Sequence, residues 1–300
     1  MENMAHPTRI LLMIGRKSRS AANFEEKLRT HLAEKGITVL NAPDDGVTDS
    51  NDVIRAHAAQ AEAVVICGGD GSVCHNLPAV VETGLPFCVV PLGTANNLAR
   101  TKGLAKDPIA AISLLWEGKI EAIDLGKANG NYFVNVAGLG LSTRINTQTP
   151  GHWKKIFGPL AFAISAIRLA KSMVPFRVWI ECDGSAYTGK SLQISICNGK
   201  HFGTGLAVAS DASLEDGRLM CVSIEVRRWW QAFFLIPSFL RGNPGEHKNV
   251  QYLEGRHIQL RTKMPMKVDL DGDIRTTTPL ELTVLPKAVR MFTPATKATS

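Results

Sequence analysis

The residues best placed to do chemistry are two glycine-bearing loops. Gly68-Gly69-Asp70-Gly71-Ser72 lies between the apolar run Ala63–Cys67 and a helical stretch to Val81. At such a junction free backbone N–H groups and the helix dipole attract phosphate, and glycines let the chain approach it closely. An Asp there repels phosphate directly, so its best use is to hold Mg²⁺ or a water that bridges the ion to a nucleotide. The loop has no Lys, which separates it from the Walker type. Taken alone, it reads equally as a tight turn whose Asp caps a helix. The second loop, Pro91-Leu92-Gly93-Thr94-Ala95-Asn96-Asn97-Leu98-Ala99-Arg100, follows the buried run Phe87–Val90 and opens another helix, which Thr94 or Asn96 would cap. Capping explains the Thr and Asn but not a second glycine-bearing loop at the same sheet edge. Two facing loops make a nucleotide cleft.

The elements that must position these loops alternate in the first half. Strand Arg9–Ile14 leads to helix Phe24–Lys35, stopped by Gly36; strand Ile37–Leu40 and helix Asp52–Gln60 follow, then the two loop-bearing strand–helix units. This is the pattern of a parallel α/β sheet, which binds ligands at the carboxyl ends of its strands. After about Gly126 the pattern becomes β-rich, with strands expected at Tyr132–Val136, Arg177–Glu181, Ser191–Cys197, Leu219–Glu225, His257–Arg261 and Lys267–Leu270. Helical patches at Trp153–Met173 and Trp229–Leu240 interrupt it, and Thr293–Ser300 reads as a frayed tail. The expected division is residues 1–128 and 129–300, with a last strand near 285–292 that could return to the first domain.

Six ordered motifs in this chain resemble the diacylglycerol kinase catalytic-domain family, especially its soluble bacterial lipid kinases, with sphingosine and ceramide kinases as relatives. They are the two glycine loops, Asp124 after Ile120–Ile123, Gly138-Leu139-Gly140, Leu214-Glu215-Asp216-Gly217 and Leu270-Asp271-Gly272-Asp273; Leu285-Pro286-Lys287-Ala288 closes the series. The resemblance covers nearly the whole chain. It implies an N-terminal three-layer α/β nucleotide domain, Rossmann-like and phosphofructokinase-like, and a C-terminal β-sandwich-like lipid-substrate domain. It implies an ATP site at Gly68, Gly69, Asp70, Gly71, Ser72, Val73, Cys74, His75 and Thr94, with Lys17 and Ser18 of the first loop available to phosphates. Asp70 and Asp124 would organise Mg²⁺ and water, and Asp273 would take the proton from a lipid hydroxyl beside Asn97. A separate structural Mg²⁺ would use the Asp216 carboxylate with the backbone carbonyls of Ser213 and Arg218, where the plainer reading of Asp216-Gly217 is a hairpin turn. Phosphoryl transfer suits such a set, because it needs mainly alignment, charge neutralisation and an oriented base.

The chain also departs from the family pattern. Asn97 stands where the family has Asp, which turns a carboxylate near the acceptor into a neutral amide. Asp273 replaces Glu and shortens the expected base by a methylene; about 1 Å of misplacement can cost on the order of a hundredfold in rate. Cys74-His75 occupies the place of Asn-Glu, Gly15 that of an Asn, and Ser72 that of a Thr. Two other readings follow. NAD kinases share a Gly-Gly-Asp-Gly loop but phosphorylate a soluble ribose, and the Pro91–Arg100 loop and Leu270–Asp273 favour the lipid enzymes. Asn97, Asp273 and Cys74-His75 instead suit a catalytically weakened lipid- or nucleotide-binding protein.

The net charge of +7 is unevenly placed. Residues 1–128 carry 13 Lys and Arg against 15 Asp and Glu, and residues 129–300 carry 21 against 12. The basic half is therefore not the half with the glycine loops, which points to an anionic membrane surface rather than nucleic acid. Trp229, Trp230, Phe233, Phe234 and Phe239, flanked by Arg227, Arg228 and Arg241, suit either an interfacial helix or one packed on the β domain with snorkelling arginines. No apolar run reaches the ~20 residues of a membrane span. The six cysteines form no C-x-x-C pair and no signal peptide precedes Pro7, so a cytoplasmic, reducing setting with peripheral membrane contact is expected. His201 and His257 lack zinc spacing, Ser195 lacks a nucleophile elbow, and Gly138-Leu139-Gly140 lacks the third glycine of a dinucleotide fingerprint. A homodimer is left open.

Overall fold

A computed structural model describes residues 6–14, 19–40, 48–141, 143, 174–198, 201–202, 206–207, 213–225 and 249–295, with the side chains of 19–23, 201–202 and 206–207 excepted. The expected helices Trp153–Met173 and Trp229–Leu240, and Gly15, Lys17 and Ser18, lie outside the described residues. The chain forms two compact units, Met1–Ile123 with Ala288–Ser300, and Asp124–Lys287.

The first unit runs β1 (Arg9–Ile14), α1 (Arg19–Glu34), β2 (Thr38–Val39), α2 (Ser50–His57), β3 (Ala63–Gly68), α3 (Asp70–Thr83), β4 (Phe87–Pro91), α4 (Asn97–Thr101), α5 (Pro108–Ile112) and α6 (Leu114–Glu117). Its sheet is parallel in the order β2-β1-β3-β4. β3 and β4 are buried almost throughout, as continuous apolar runs covered on both faces should be. α1 begins earlier than its apolar spacing predicts and ends where Gly36 takes φ +73°.

α3 contains Pro78, which has no N–H and whose ring crowds the preceding turn. The bond that Ala79 N–H would give the His75 carbonyl is replaced by one side chain: Asn51 Oδ1 accepts from Ala79 N–H, and Asn51 Nδ2 donates to the His75 carbonyl. Asn51 is buried and stitches α2 to α3 across the proline. Asp49 caps α2 through Asn51 N–H, and this bond holds the Asp49 carboxyl below the usual carboxylate range.

The second unit takes up β5 (Lys119–Ala128) from Asp124 onward, then β6 (Asn131–Phe133), β7 (Val136–Gly140), β8 (Phe176–Cys182), β9 (Ser185–Ser191), β10 (Gln193–Cys197), β11 (His201–Phe202), β12 (Leu206–Ala207), β13 (Leu219–Ile224), β14 (Val250–Gly255), β15 (His257–Thr262), β16 (Lys267–Leu270), β17 (Asp273–Thr277) and the start of β18 (Leu280–Thr293). One antiparallel sheet has the order β14-β13-β10-β7-β16-β17, and β9, β8, β15 and β18 form a second antiparallel array. Their inner faces share one core, including Ala137, Leu139, Ile194 and Ile196 from the first and Val178, Ile180, Ile258 and Leu260 from the second. That is the arrangement of a sandwich.

Three expectations change. The expected strand Tyr132–Val136 is two strands, β6 and β7, because the Asp271 carboxylate takes the N–H groups of Val134, Asn135 and Val136 that a continuous ladder would use. β9 has no apolar alternation, since nearly all of its side chains face water. β18 is twice as long as the strand expected near 285–292 and bends at Lys287, whose φ is +51°; its Met291 pairs in parallel with Phe87 of β4.

Candidate functional site

In the first unit the two glycine loops touch. A Cβ built on Gly93 would lie 2.6 Å from Gly69 Cα, and one on Gly69 would lie 3.1 Å from Gly93 Cα. Gly93 admits no side chain at that approach, and a Cβ at Gly69 would push the loops apart by a few tenths of an ångström.

Asp70 joins the loops. It is the first residue of α3, where a negative charge is favoured, and its two carboxylate oxygens accept the N–H groups of Asn97 (2.9 Å) and Leu98 (3.1 Å) at the start of α4. Neither Thr94 nor Asn96 caps that helix. Asn96 sits at the cap position with φ +49° and folds its amide onto Gly93, accepting from its N–H and donating to its carbonyl. The cap is supplied from the other loop. Asn97, buried and with Oδ1 lacking a hydrogen-bond partner among the described residues, sits against this carboxylate through its own N–H. A neutral amide here avoids placing a second carboxylate beside Asp70.

The Gly69 carbonyl accepts the N–H groups of Ser72 and Val73, so the α3 ladder opens at the glycine loop, the end of a helix that attracts an anion. Thr94 is exposed in the second loop, and Ser72 is half-buried. Val73 and Cys74 direct their side chains into the core, leaving only backbone for a ligand. His75 pairs with Asp49 at 3.2 Å. All six cysteines are free and buried, and burial pushes the Cys88 thiol up to about 12, the behaviour of a core residue rather than a nucleophile.

In the second unit Asp124 is a buried tie. Its oxygens accept the N–H groups of Gly217 and Lys287, both at 2.7 Å, and its own N–H donates to the Leu214 carbonyl. The Asp124, Leu214–Gly217 and Leu285–Ala288 motifs therefore meet at one carboxylate. Asn198, which sequence reasoning missed, donates its amide to the carbonyls of Asp124 and Val134 and so links this tie to the Asp271 turn. The exposed Asp216 carboxylate accepts the N–H groups of Ser213 and Arg218, both at 2.9 Å, which closes its loop as a side-chain-capped turn. Ser195 is a buried strand residue bonded to Gln193, and His257 pairs with Glu281.

Asp273 opens β17, two residues beyond Asp271. It is 59% exposed, and Arg275 lies 3.5 Å from its Oδ2. Asp271 itself, at φ +51°, bonds three consecutive N–H groups at 2.7–2.9 Å, so the turn that presents Asp273 is anchored at its first residue.

Replacing Asp70 with Ala removes the cap of α4 and is expected to lower stability by about 1–2 kcal/mol, read as a shifted denaturant midpoint with unchanged slope. An unshifted midpoint would mean that α4 does not depend on this carboxylate.

The family comparison fits both units. The diacylglycerol kinase catalytic domain matches residues 9–128, and the YegS C-terminal NAD kinase beta sandwich-like domain matches residues 135–293. The chain belongs to the diacylglycerol kinase family. It is a kinase that transfers phosphate to an alcohol. A protein named diacylglycerol kinase from Staphylococcus epidermidis is 26% identical over 242 residues, covering 80% of this chain and 77% of its own. One of the same name from Staphylococcus saprophyticus is 25% identical over 247 residues, covering 82% and 81%. The crystal structure of a diacylglycerol kinase from Bacillus anthracis str. Sterne superposes with a TM-score of 0.78 at 22% identity, covering 97% of this chain and 98% of its own, which shows the same fold.

Proposed function

We propose that this family member transfers the γ-phosphate of ATP to a hydroxyl of a membrane lipid of the diacylglycerol, phosphatidylglycerol, ceramide or sphingoid type. The observation that carries the donor half is the Asp70 bridge: one carboxylate at the start of α3 fastens the start of α4, which holds the two glycine loops against each other at Gly69 and Gly93. That arrangement suits a polyphosphate. Ser72 and Thr94 would orient its oxygens, and Lys17 would add a cation.

The acceptor half rests on Asp273. An exposed carboxylate on an anchored turn, with a guanidinium beside it to fix its orientation, suits a general base that takes the proton from the lipid hydroxyl as the oxygen bonds to phosphorus. The two Staphylococcus relatives named diacylglycerol kinase make diacylglycerol the first acceptor to try.

Mg²⁺ bound with the ATP phosphates would neutralise their charge. Asp70 and Asp124 would meet it through water: each of their oxygens accepts one backbone N–H and keeps a second lone pair. A second ion at the Asp216 carboxylate would take the backbone carbonyls of Ser213 and Arg218, whose N–H groups already bond that carboxylate. In this reading Asp70 also shapes the loop backbone that binds phosphate, and the ion arrives with the nucleotide and its water.

Presenting lipid and NAD together as acceptors tests the assignment. Labelled lipid without NADP is expected, and NADP formation without labelled lipid would replace this reading with a soluble phosphotransferase.

A further inference from the structure

The outer face of the β9-β8-β15 array has two unlike ends. Arg177 lies opposite Lys190, and Trp179 lies between Thr188 and Arg261; Lys263, two residues beyond Arg261, extends the same row. All four cations are exposed, and none is in an ion pair among the described residues. The acidic side chains of this face, Glu181 and Glu281, flank Gln259 one row further along. Glu181 is two residues from Trp179, about 7 Å along a strand.

The basic end is also the apolar end. Trp179 is 39% exposed, Val174 just before β8 is 83% exposed, and Met264 just after β15 is 69% exposed. β8 and β15 are antiparallel, with Thr262 opposite Val178, so Val174 and Met264 flank the same edge of the array. Three of the five exposed large apolar side chains among the described residues thus share one end of one sheet with four cations. A shallow groove beside them is lined by Trp179, Thr188, Arg261 and Lys263 at this end and by Glu181 and Gln259 one row further along.

We infer that this end of the β9-β8-β15 array is where the enzyme docks on an anionic lipid bilayer. Val174, Met264 and the Trp179 ring enter the headgroup–acyl boundary, and Arg177, Lys190, Arg261 and Lys263 meet anionic headgroups, while Glu181 and Glu281 stay a row further from the surface. Apolar tips ringed by exposed cations fit that partner better than a neutral bilayer, to which the cations contribute nothing, or a nucleic acid, to which exposed aliphatic tips contribute nothing. The inference rests on the lipid-kinase reading for why a bilayer must be met. It rests on the surface alone for where.

Sedimentation of the full chain with vesicles of phosphatidylglycerol in phosphatidylcholine, against phosphatidylcholine alone, tests it. Arg177→Glu with Lys263→Glu is expected to weaken binding to anionic vesicles by roughly 30-fold or more, from about 1 kcal/mol for each lost cation. Trp179→Ala with Met264→Ser should weaken it without changing its salt dependence, and Arg177→Lys with Lys263→Arg should restore it. Phosphorylation of a water-soluble short-chain acceptor should stay at the wild-type rate in all three. Wild-type affinity in the charge-reversed variant, or a wild type that binds both vesicles alike, would overturn the docking surface. Binding through this face with no lipid ever labelled would support the surface and overturn the lipid-kinase reading.

Discussion

Asp273→Asn is expected to cut phosphoryl transfer by about a thousandfold, the middle of the range for a general base, with ATP affinity within twofold of wild type. The substitution keeps size and removes only the ability to take a proton. Asp273 makes no backbone bond among those that anchor its turn, so stability should not change; its ion-pair partner among the described residues is Arg275, a pair too exposed to matter to folding. Single-turnover transfer beside calorimetric ATP binding separates the two effects. Retained activity would move the base to another residue. Asp273→Glu, which restores the methylene, reports whether reach limits the rate, and a gain would assign the slow step to distance.

The second large effect is expected at Asp271. Removing its carboxylate strands three N–H groups between β6 and β7 at once. Hydrogen bonds to a charged group contribute about 1.5–3 kcal/mol each, and they share one acceptor, so Asp271→Ala should lose about 3–5 kcal/mol in chemical unfolding. Part of that is the cost of a φ of +51° in Ala, which Asn escapes. Asp271→Asn isolates the acceptor effect: its one oxygen can serve Asn135 and Val136, but the amide then turns a donor toward Val134 N–H, and about 2 kcal/mol should be lost. Because this turn presents Asp273, both variants should also lower kcat more than they raise KM for ATP. A stable Asp271→Ala protein would show that the turn is held by other contacts.

Alternating apolar runs made the parallel sheet legible from sequence, and the glycine loops marked its ligand edge. What could not be read was where the carboxylates point. Asp70 stands out in the sequence as a possible metal or water ligand, but nothing local shows that it also reaches across to Asn97 and Leu98, residues 27 and 28 positions away. Asp124 and Asp271 were hidden likewise, since each gathers N–H groups from strands distant in sequence. The split of Tyr132–Val136 follows from the same cause, because Val134 and Asn135 carry no turn signal and only their bonds to Asp271 distinguish them from a strand. Asn51 carried no local signal, and Pro78 was the clue, as a proline inside a helix demands another partner for the bonds it disrupts. β9 escaped because an exposed strand has no apolar alternation to read.

Transfer from ATP to a lipid hydroxyl is read by following radiolabelled γ-phosphate in mixed micelles that hold diacylglycerol, phosphatidylglycerol, ceramide or a sphingoid base, with the product separated from nucleotide. At least one labelled lipid is expected with the wild-type chain, and about a thousandfold less of it with Asp273→Asn; ATP bound tightly with no lipid labelled by the wild type would overturn the lipid-kinase assignment.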